Sequence, residues 1–503
     1  MGASDRKLSG RMNSSIPESP KRGYLNLEFS ARTANSSSSQ SEEELLRILI
    51  LGDFSGDAGS VRQSDQGSGS IPVDYDNFDT VLARVGPIVQ LDVEGSLTTI
   101  KFRCLQDFHP DQLLPHIESL SRFVELRNQL LDPSTALAAG RQIQGLLQPS
   151  AASSESAKAI SVQSSDDLLN QLLGKTISDR SQAPSPVSPV DHLIRQFLGN
   201  PPDAVANTEQ KGLQTALEKE LAKRLRHTLH HPTFQTLEAT WRGLDFLVRN
   251  AGESTVLHLS DTSKSKLTAL LTHGDPAETP ITELLNAFRP ALVLGIYGFG
   301  LEDHHTLSAI ARICETHQTA FVTGANAELA GWTTFGSQDG RIRGTSIPED
   351  RDFASLRKKP EAHHLGLILP RFLLRQAYGT RSDPIETFPF EEIDARPNHE
   401  FHLWGNSAFL CGYLMLKNFG ESGWNFDIRQ GGEISGLPVQ QIVTDGEVDT
   451  KPCAEAWLSE TAEEAIRSRG IIPVLSIRGR DAVRITSLHS ISAPPRNLTV
   501  RGP

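Results

Sequence analysis

Residues 227–248, HTLHHPTFQTLEATWRGLDFLV, constrain the fold more than any other stretch. Pro232 suits the first position of a helix, where its missing N–H costs nothing. Phe234, Leu237, Trp241, Leu244 and Val248 then recur at spacings of three, four, three and four. They form one aromatic-rich apolar stripe, with Arg242 and Asp245 on the other side. Such a stripe is a core seam, and it is expected to pack within the body that follows it. Just upstream, Leu213, Leu217, Leu221, Leu225 and Leu229 recur every four residues, and Glu220 and Arg224 are spaced to pair on that helix. Two helices joined at His230-His231-Pro232 as a hairpin are expected.

Downstream, short apolar runs alternate with helical periodicity. Thr255–Leu259, Ala291–Ile296, Ala320–Val322 and Leu365–Leu369 read as strands. Thr306–Cys314 reads as a helix with Leu307, Ile310, Ala311 and Cys314 on one face, so 291–322 is a β-α-β unit, expected to be parallel. Trp404–Phe419 reads as an apolar helix. Ile471–Ile477 and Val483–Ile485 read as strands about the turn Arg478-Gly479-Arg480-Asp481. Near the start, Leu45–Leu51 is a buried strand entering Gly52-Asp53-Phe54-Ser55-Gly56. Ile88–Val93 and Leu97–Phe102 form a hairpin about Glu94-Gly95-Ser96. Asp107-Phe108-His109-Pro110-Asp111 then opens a helix carrying Leu113, Leu114, Ile117, Leu120, Val124 and Leu126. The fold class is α/β, with mixed α+β character.

At 503 residues the chain is long for one core. The expected division is a disordered 1–20, a first domain at 21–147, a linker at 148–208, an α/β domain at 209–492 and a tail at 493–503. Residues 1–20 and 30–44 are Ser-rich and read as disordered. Between them Tyr24, Leu25, Leu27 and Phe29 alternate as a lone strand, which pairs with something, another chain included. Residues 148–208 are rich in Ser, Ala and Pro, and SQAPSPVSP (181–189) does not hold a helix. Two islands interrupt the linker. In one, acidic Asp166 and Asp167 precede Leu168, Leu169, Leu172 and Leu173, and Gly174 is the stop; residues 191–199 repeat the design. Helices this short are marginal in water, so each docks on a surface, its own domain or a partner.

Several functional classes are excluded. No apolar run approaches the ~18 residues of a membrane span, so no membrane insertion is expected. MGASDRKLSGRMNSS lacks the apolar core of a secretory signal. Cys104, Cys314, Cys411 and Cys453 show no paired spacing, which fits a reducing cytoplasm. A net charge of −12 argues against nucleic acid as a partner. Gly52, Gly56 and Gly59 do not fit G-x-G-x-x-G, and no Gly-Lys-Ser/Thr follows. Ser55 has the wrong spacing for a hydrolase elbow. The pairs His230-His231, His304-His305 and His363-His364 put adjacent rings on different sides, and H-E-x-x-H is absent. Arg371 and Arg375 follow a strand as ion-pair or interface residues. No catalytic residue, cofactor or metal is expected. The alternative is a soluble enzyme using the 52–59 loop or the histidine pairs.

Particular words of the sequence point further. Glu238, Ala239, Trp241, Arg242, Gly243 and Leu244 after a His-Pro turn closely resemble the start of the large subunit of the type VI secretion contractile sheath. The resemblance continues through Leu369-Pro370-Arg371-Phe372-Leu373-Leu374-Arg375, Leu403-Trp404-Gly405-Asn406, Gly423-Trp424, Gly431-Gly432 with Leu437-Pro438, and Ala454-Glu455. From about residue 24 to 147 the chain resembles the small subunit of the same sheath: Gly-Asp-Phe-Ser-Gly after a strand, Asn77-Phe78, the Asp107–Asp111 helix start and Glu125-Leu126-Arg127. The resemblance implies a structural, non-enzymatic protein, a small subunit fused to a large one. It would assemble helically with other sheath subunits around an inner tube protein, on a baseplate, and contract to propel the tube. It implies that Leu168, Leu169, Leu172 and Leu173 are the handle seized by an AAA+ recycling ATPase. The family's large subunit runs well past Val483–Ile485, so a separate chain is expected to supply its C-terminal portion. An accessory cap or adaptor of the sheath or its ATPase is the alternative within the family.

Overall fold

Leu46–Gly52 is apolar at nearly every position because it is buried on both faces and hydrogen-bonded on both edges. In the computed structural model, residues 45–56, 69–93, 96–147, 202–273, 278–335, 348–393, 398–427, 431–444 and 447–500 are described. All lie in one compact unit, Glu42–Pro503. The first segment contributes β1 (Leu46–Gly52), β2 (Ile71–Val73), α1 (Phe78–Val85), β3 (Ile88–Val93), β4 (Ser96–Lys101), α2 (Pro110–His116), α3 (Glu118–Leu131) and α4 (Ala136–Leu147). The second opens with α5 (Pro202–Leu229), α6 (Pro232–Val248), β5 (Thr255–Asp261), α7 (Lys264–His273), α8 (Pro280–Phe288), β6 (Leu292–Phe299), α9 (His304–His317) and β7 (Ala320–Ala325). It continues through α10 (Arg351–Arg357), β8 (Leu365–Leu369), β9 (Phe372–Leu373), β10 (Trp404–Gly405), α11 (Ala408–Ser422) and β11 (Gly432–Ser435). Last come β12 (Gln441–Thr444), β13 (Glu447–Thr450), α12 (Glu460–Ser468), β14 (Ile471–Ser476) and β15 (Ala482–Ile485).

One nine-stranded sheet runs β11-β15-β14-β8-β7-β6-β1-β5-β2. Strands β14, β8, β7, β6, β1 and β5 are parallel, and antiparallel β2, β15 and β11 finish the edges. The stretch β5-β1-β6-β7-β8 has the doubly wound order 2-1-3-4-5, in which the first strand is central. Ile48 pairs with Leu257 on one side and Leu292 on the other, and Ile50 with Leu259 and Leu294. Strand periodicity divides β1 between two cores. Leu46, Ile48 and Ile50 face a core with α6 and α11, whereas Leu49 and Leu51 face one with α7, α8, α9 and α10.

The stripe on α6 lies where its period predicts, with Phe234, Leu237, Trp241, Leu244 and Val248 all buried. His231 is extended and Pro232 opens the helix. Trp241 does not confine itself to the body that follows, because both segments share one core. Its ring meets Phe54 and Phe78 of the first segment edge-on at 5.2 and 5.8 Å, and its Nε1 donates to the Phe54 carbonyl at 2.9 Å. Phe234 meets the stacked pair Phe102 and Phe108 at 6.0 and 5.8 Å. Gly243 sits mid-helix because a Cβ there would lie 2.1 Å from the Phe409 ring of α11. The helix ahead of it starts at Pro202 and ties to the first segment through Arg127–Glu218 at 2.7 Å and Arg224 over the Phe123 ring at 4.3 Å.

The Trp404–Phe419 helix is corrected. Trp404-Gly405 instead pairs with Phe372-Leu373 as a two-stranded ladder, and the helix starts at Ala408. The Asn406 side chain accepts from the Ala408 N–H at 2.9 Å and so fixes that start. The Asp107–Asp111 start divides its labour. The Asp107 carboxylate accepts from the Arg103 and Cys104 N–H groups, and the His109 ring accepts from the Asp111 N–H at the head of α2.

Because β1 is held along both edges, a cut within residues 148–201 should leave 45–147 bound to 202–500. Size-exclusion chromatography after limited proteolysis checks this, and separation of the fragments in native buffer would refute it. Gly243→Ala should destabilise the protein by about 1–3 kcal/mol through overpacking against Phe409, measured by urea unfolding.

Candidate functional site

The features that stand out chemically are charges inside the apolar body. Strand β8 ends at Leu369-Pro370, and the chain then lays Arg371 and Arg375 either side of the short β9. The Arg375 guanidinium is buried and grips two carboxylates. Its Nε and Nη2 donate to Glu238 at 2.8 and 3.2 Å, and its Nη1 and Nη2 donate to Glu392 at 2.7 and 3.1 Å. Glu238 is fully buried on α6 and also accepts from Arg242 Nε at 2.7 Å, one helical turn on. Arg242 donates onward to the Tyr378 hydroxyl at 3.2 Å, and Arg375 stacks 4.1 Å from the Tyr378 ring. Two guanidinium groups thus face two carboxylates, and the charge closes on itself.

This cluster fastens the 375–392 stretch to both segments. The His109 ring meets Tyr378 edge-on at 5.0 Å. Asp111 accepts from the Glu386 and Thr387 N–H groups at 2.9 and 3.2 Å and from the Thr387 hydroxyl at 2.8 Å. A second cluster lies beside it. Arg371 donates to Glu455 at 3.0 and 2.6 Å and to the exposed Glu400 at 3.1 Å, and His399 Nε2 lies 3.2 Å from Glu455. Burial alone would raise both buried carboxyls, yet Arg375 holds Glu392 down to about 2, and Arg371 does the same to Glu455. Burial and the neighbouring carboxylates push the Tyr378 hydroxyl up.

His399, Glu400 and Glu455 are the residues whose ligand atoms approach closely enough for a metal ion, among those described. The Arg371 guanidinium already stands between the two carboxylates as their cation. A cleft of about 520 Å³ opens at the carboxyl ends of β6, β7 and β8 beside this cluster, lined in part by Tyr297, Asn326, Arg371 and Asn406. There the Asn406 Nδ2 donates to the Tyr297 carbonyl at 2.7 Å.

In doubly wound sheets ligands bind where the strand order reverses, here beyond β1 and β6. The donors of that loop are turned on the protein itself. Phe54 and Ser55 N–H donate to the Asp261 carboxylate at 2.8 and 3.1 Å, and Gly56 N–H donates to Asp53 at 2.9 Å. Two carboxylates sit where a phosphate would have to lie.

The histidine pairs separate in role. His230 stacks on Phe401 at 3.9 Å, and His231 precedes α6. His364 is buried with Nδ1 at 2.9 Å from the Thr319 carbonyl. The His304 and His305 rings lie 4.1 Å apart, closer than their adjacency predicts. Arg371 and Arg375 are the ion-pair residues expected from their position after a strand. Their partners Glu238, Glu392 and Glu455 are not legible in the sequence, since nothing near them names a partner 137 or 84 residues away. Leu168, Leu169, Leu172, Leu173, Tyr24, Leu25, Leu27 and Phe29 lie outside the described residues.

One sheet joins the two sequence segments, and the buried Arg371 and Arg375 are matched there by carboxylates. The model for EvpB/VC_A0108, tail sheath N-terminal domain, matches residues 212–281 and 289–492. The model for the type VI secretion system protein VipA (VC_A0107 or Hcp2) matches residues 23–165. The type VI secretion system sheath protein TssC1 of Pseudomonas aeruginosa is 28% identical over 352 residues, covering 65% of this chain and 70% of that protein. The chain belongs to the type VI secretion tail sheath family, carries both small-subunit and large-subunit domains, and is a structural component of the contractile sheath.

Arg375→Met should destabilise the fold by about 3–5 kcal/mol, because it strands the buried Glu392 carboxylate and leaves Glu238 with Arg242 alone. The loss is read from urea or thermal unfolding. Glu392 and Glu455 have folded pKa values of about 2, depressed from 4.5, so their stabilisation is present above about pH 4.5 and lost as pH falls towards 2. Urea midpoints measured across that window should fall for the native chain and fall less for Glu455→Gln.

Proposed function

We propose that this chain acts as a fused sheath protomer: residues 21–147 serve as the small subunit, 209–492 as the large-subunit body, and 148–208 as the tether between them. The observation that carries this reading is that both subunit-type segments occur on one chain and β1 of the first lies between β5 and β6 of the second. A tether raises the effective concentration of two partners that must pair anyway. The protomer stacks helically with other sheath subunits around an inner tube protein, on a baseplate, in the cytoplasm. Contraction of that assembly propels the tube. No helix among the described residues is long and apolar enough to cross a membrane, in keeping with such a lattice. The protomer performs no catalysis of its own.

Tyr24, Leu25, Leu27 and Phe29 form the assembly strand that joins a neighbouring protomer. Leu168, Leu169, Leu172 and Leu173 form the handle for an AAA+ recycling ATPase.

Electron microscopy of the purified protein, alone and mixed with neighbouring sheath proteins, should show tubular polymers in at least one pairing. Absence of this chain from polymers and their ends in every pairing would end the assembly reading. Deleting residues 166–174 should abolish capture by the ATPase while circular dichroism and the melting midpoint stay unchanged. Retained capture would remove the handle assignment.

A further inference from the structure

The turn between α3 and α4 leaves apolar side chains in the open. Leu137 is 84% exposed, more than any other large apolar residue among those described, and Leu131 is 48% exposed. Leu131 ends α3 and Leu137 lies in the first turn of α4, with residues 132–135 between the helices. So short a connection lays the two helix ends side by side. The other face of α4 is spent in the core, where Ala139 and Ile143 are buried. Helix α5 passes the same place. Its Gln210 donates to the Leu130 carbonyl, and a Cβ on Gly140 would lie 3.4 Å from Leu213. From Pro202 to Gln210, α5 rises about 12 Å. Residues 148–201 lie outside the described part of the chain. That stretch leaves from the end of α4 and returns at the start of α5, so both its ends are fixed on this helical group.

We propose that residues 191–198 fold back along α5 as a short helix and lay Leu193, Ile194, Phe197 and Leu198 over Leu131 and Leu137. Leucine, isoleucine and phenylalanine at i, i+1 and i+4 with Leu198 at i+5 make one apolar face, and a helix of that length needs a surface to form on. Gly199-Asn200-Pro201 is turn chemistry, and Pro202 opens α5. Eight helical residues rise about 12 Å, the same height as α5 from Pro202 to Gln210. A hairpin closed at 199–201 therefore brings Leu193 and Ile194 level with the turn of α5 that holds Leu130. A three-residue connection gives this island a far higher effective concentration at the patch than the island at 166–174, which is tethered through a much longer stretch. Docked in this way, residues 191–198 clip the end of the tether to the first segment, and residues 166–174 keep their reach. The docking is a contact within one protomer, and it stands whether or not the chain polymerises.

The test is hydrogen exchange on the full chain, kept as a soluble protomer at neutral pH. Amides of residues 192–198 should exchange at least about tenfold more slowly than an unstructured peptide. Leu131→Asp combined with Leu137→Asp should return them to the unstructured rate and leave the protection of α6 unchanged. A second readout is mild oxidation of the Leu137→Cys, Ile194→Cys pair, which should close within one chain at least about tenfold faster than Leu137→Cys with Leu169→Cys. Unstructured exchange of 192–198 in the native chain, protection that survives the double substitution, or equal closure of the two cysteine pairs would each overturn the proposal. Cross-linked dimers in place of the intrachain product would overturn it as well, and would give the patch to a second copy of the chain.

Discussion

The pairing of β1 with β5 and β6 is the contact on which the remaining structure depends. A strand at the centre of a parallel sheet has both edges hydrogen-bonded and both faces covered. Ile48 and Ile50 face one core, and Leu49 and Leu51 face the other. Without β1, β5 and β6 would each expose an edge, and both cores would lose their middle. The strand comes from the first segment, yet its partners begin more than two hundred residues later, at Thr255 and Leu292. Closing so long a loop costs little more than closing a short one, because the entropic cost grows only with the logarithm of length. The apolar surface buried along β1 and around Trp241 outweighs that cost.

Electrostatics refines what apolar packing begins. The Glu238–Arg375–Glu392 cluster adds geometric selectivity, since a bidentate guanidinium accepts few arrangements of its carboxylates. Glu238 belongs to α6, Arg375 follows β9, and Glu392 lies further along the same stretch, which Asp111 of the first segment grips through Thr387. A misplaced segment would leave bare charges in the interior, so the cluster penalises wrong packings more than it rewards the correct one.

Carrying the small- and large-subunit domains on one chain changes the thermodynamics of their association. Association within one chain does not depend on protein concentration, and the two subunit types are made in equal number. The doubly wound order, which in many proteins frames a nucleotide site, here frames a loop whose donors are spent on Asp53 and Asp261. Fold and function are separable in this way because a site is a matter of particular donors at the strand ends, not of strand order.

Much of the molecule was legible from residue order. Local periodicity placed α6, the strand at Leu365–Leu369 and the hairpin near Ile88, because each is decided by the alternation of its own apolar residues. The His-Pro turn and the role of Arg371 and Arg375 as ion-pair residues were legible too. Trp404-Gly405 was not, since two residues pairing with Phe372-Leu373 show no period of their own and read as the first turn of the helix behind them. What Trp241 touches, which carboxylates Arg375 holds and why Gly243 has no side chain were decided only in three dimensions. A sequence determines the face an element presents. Which distant face meets it is settled only when the two segments close on one core.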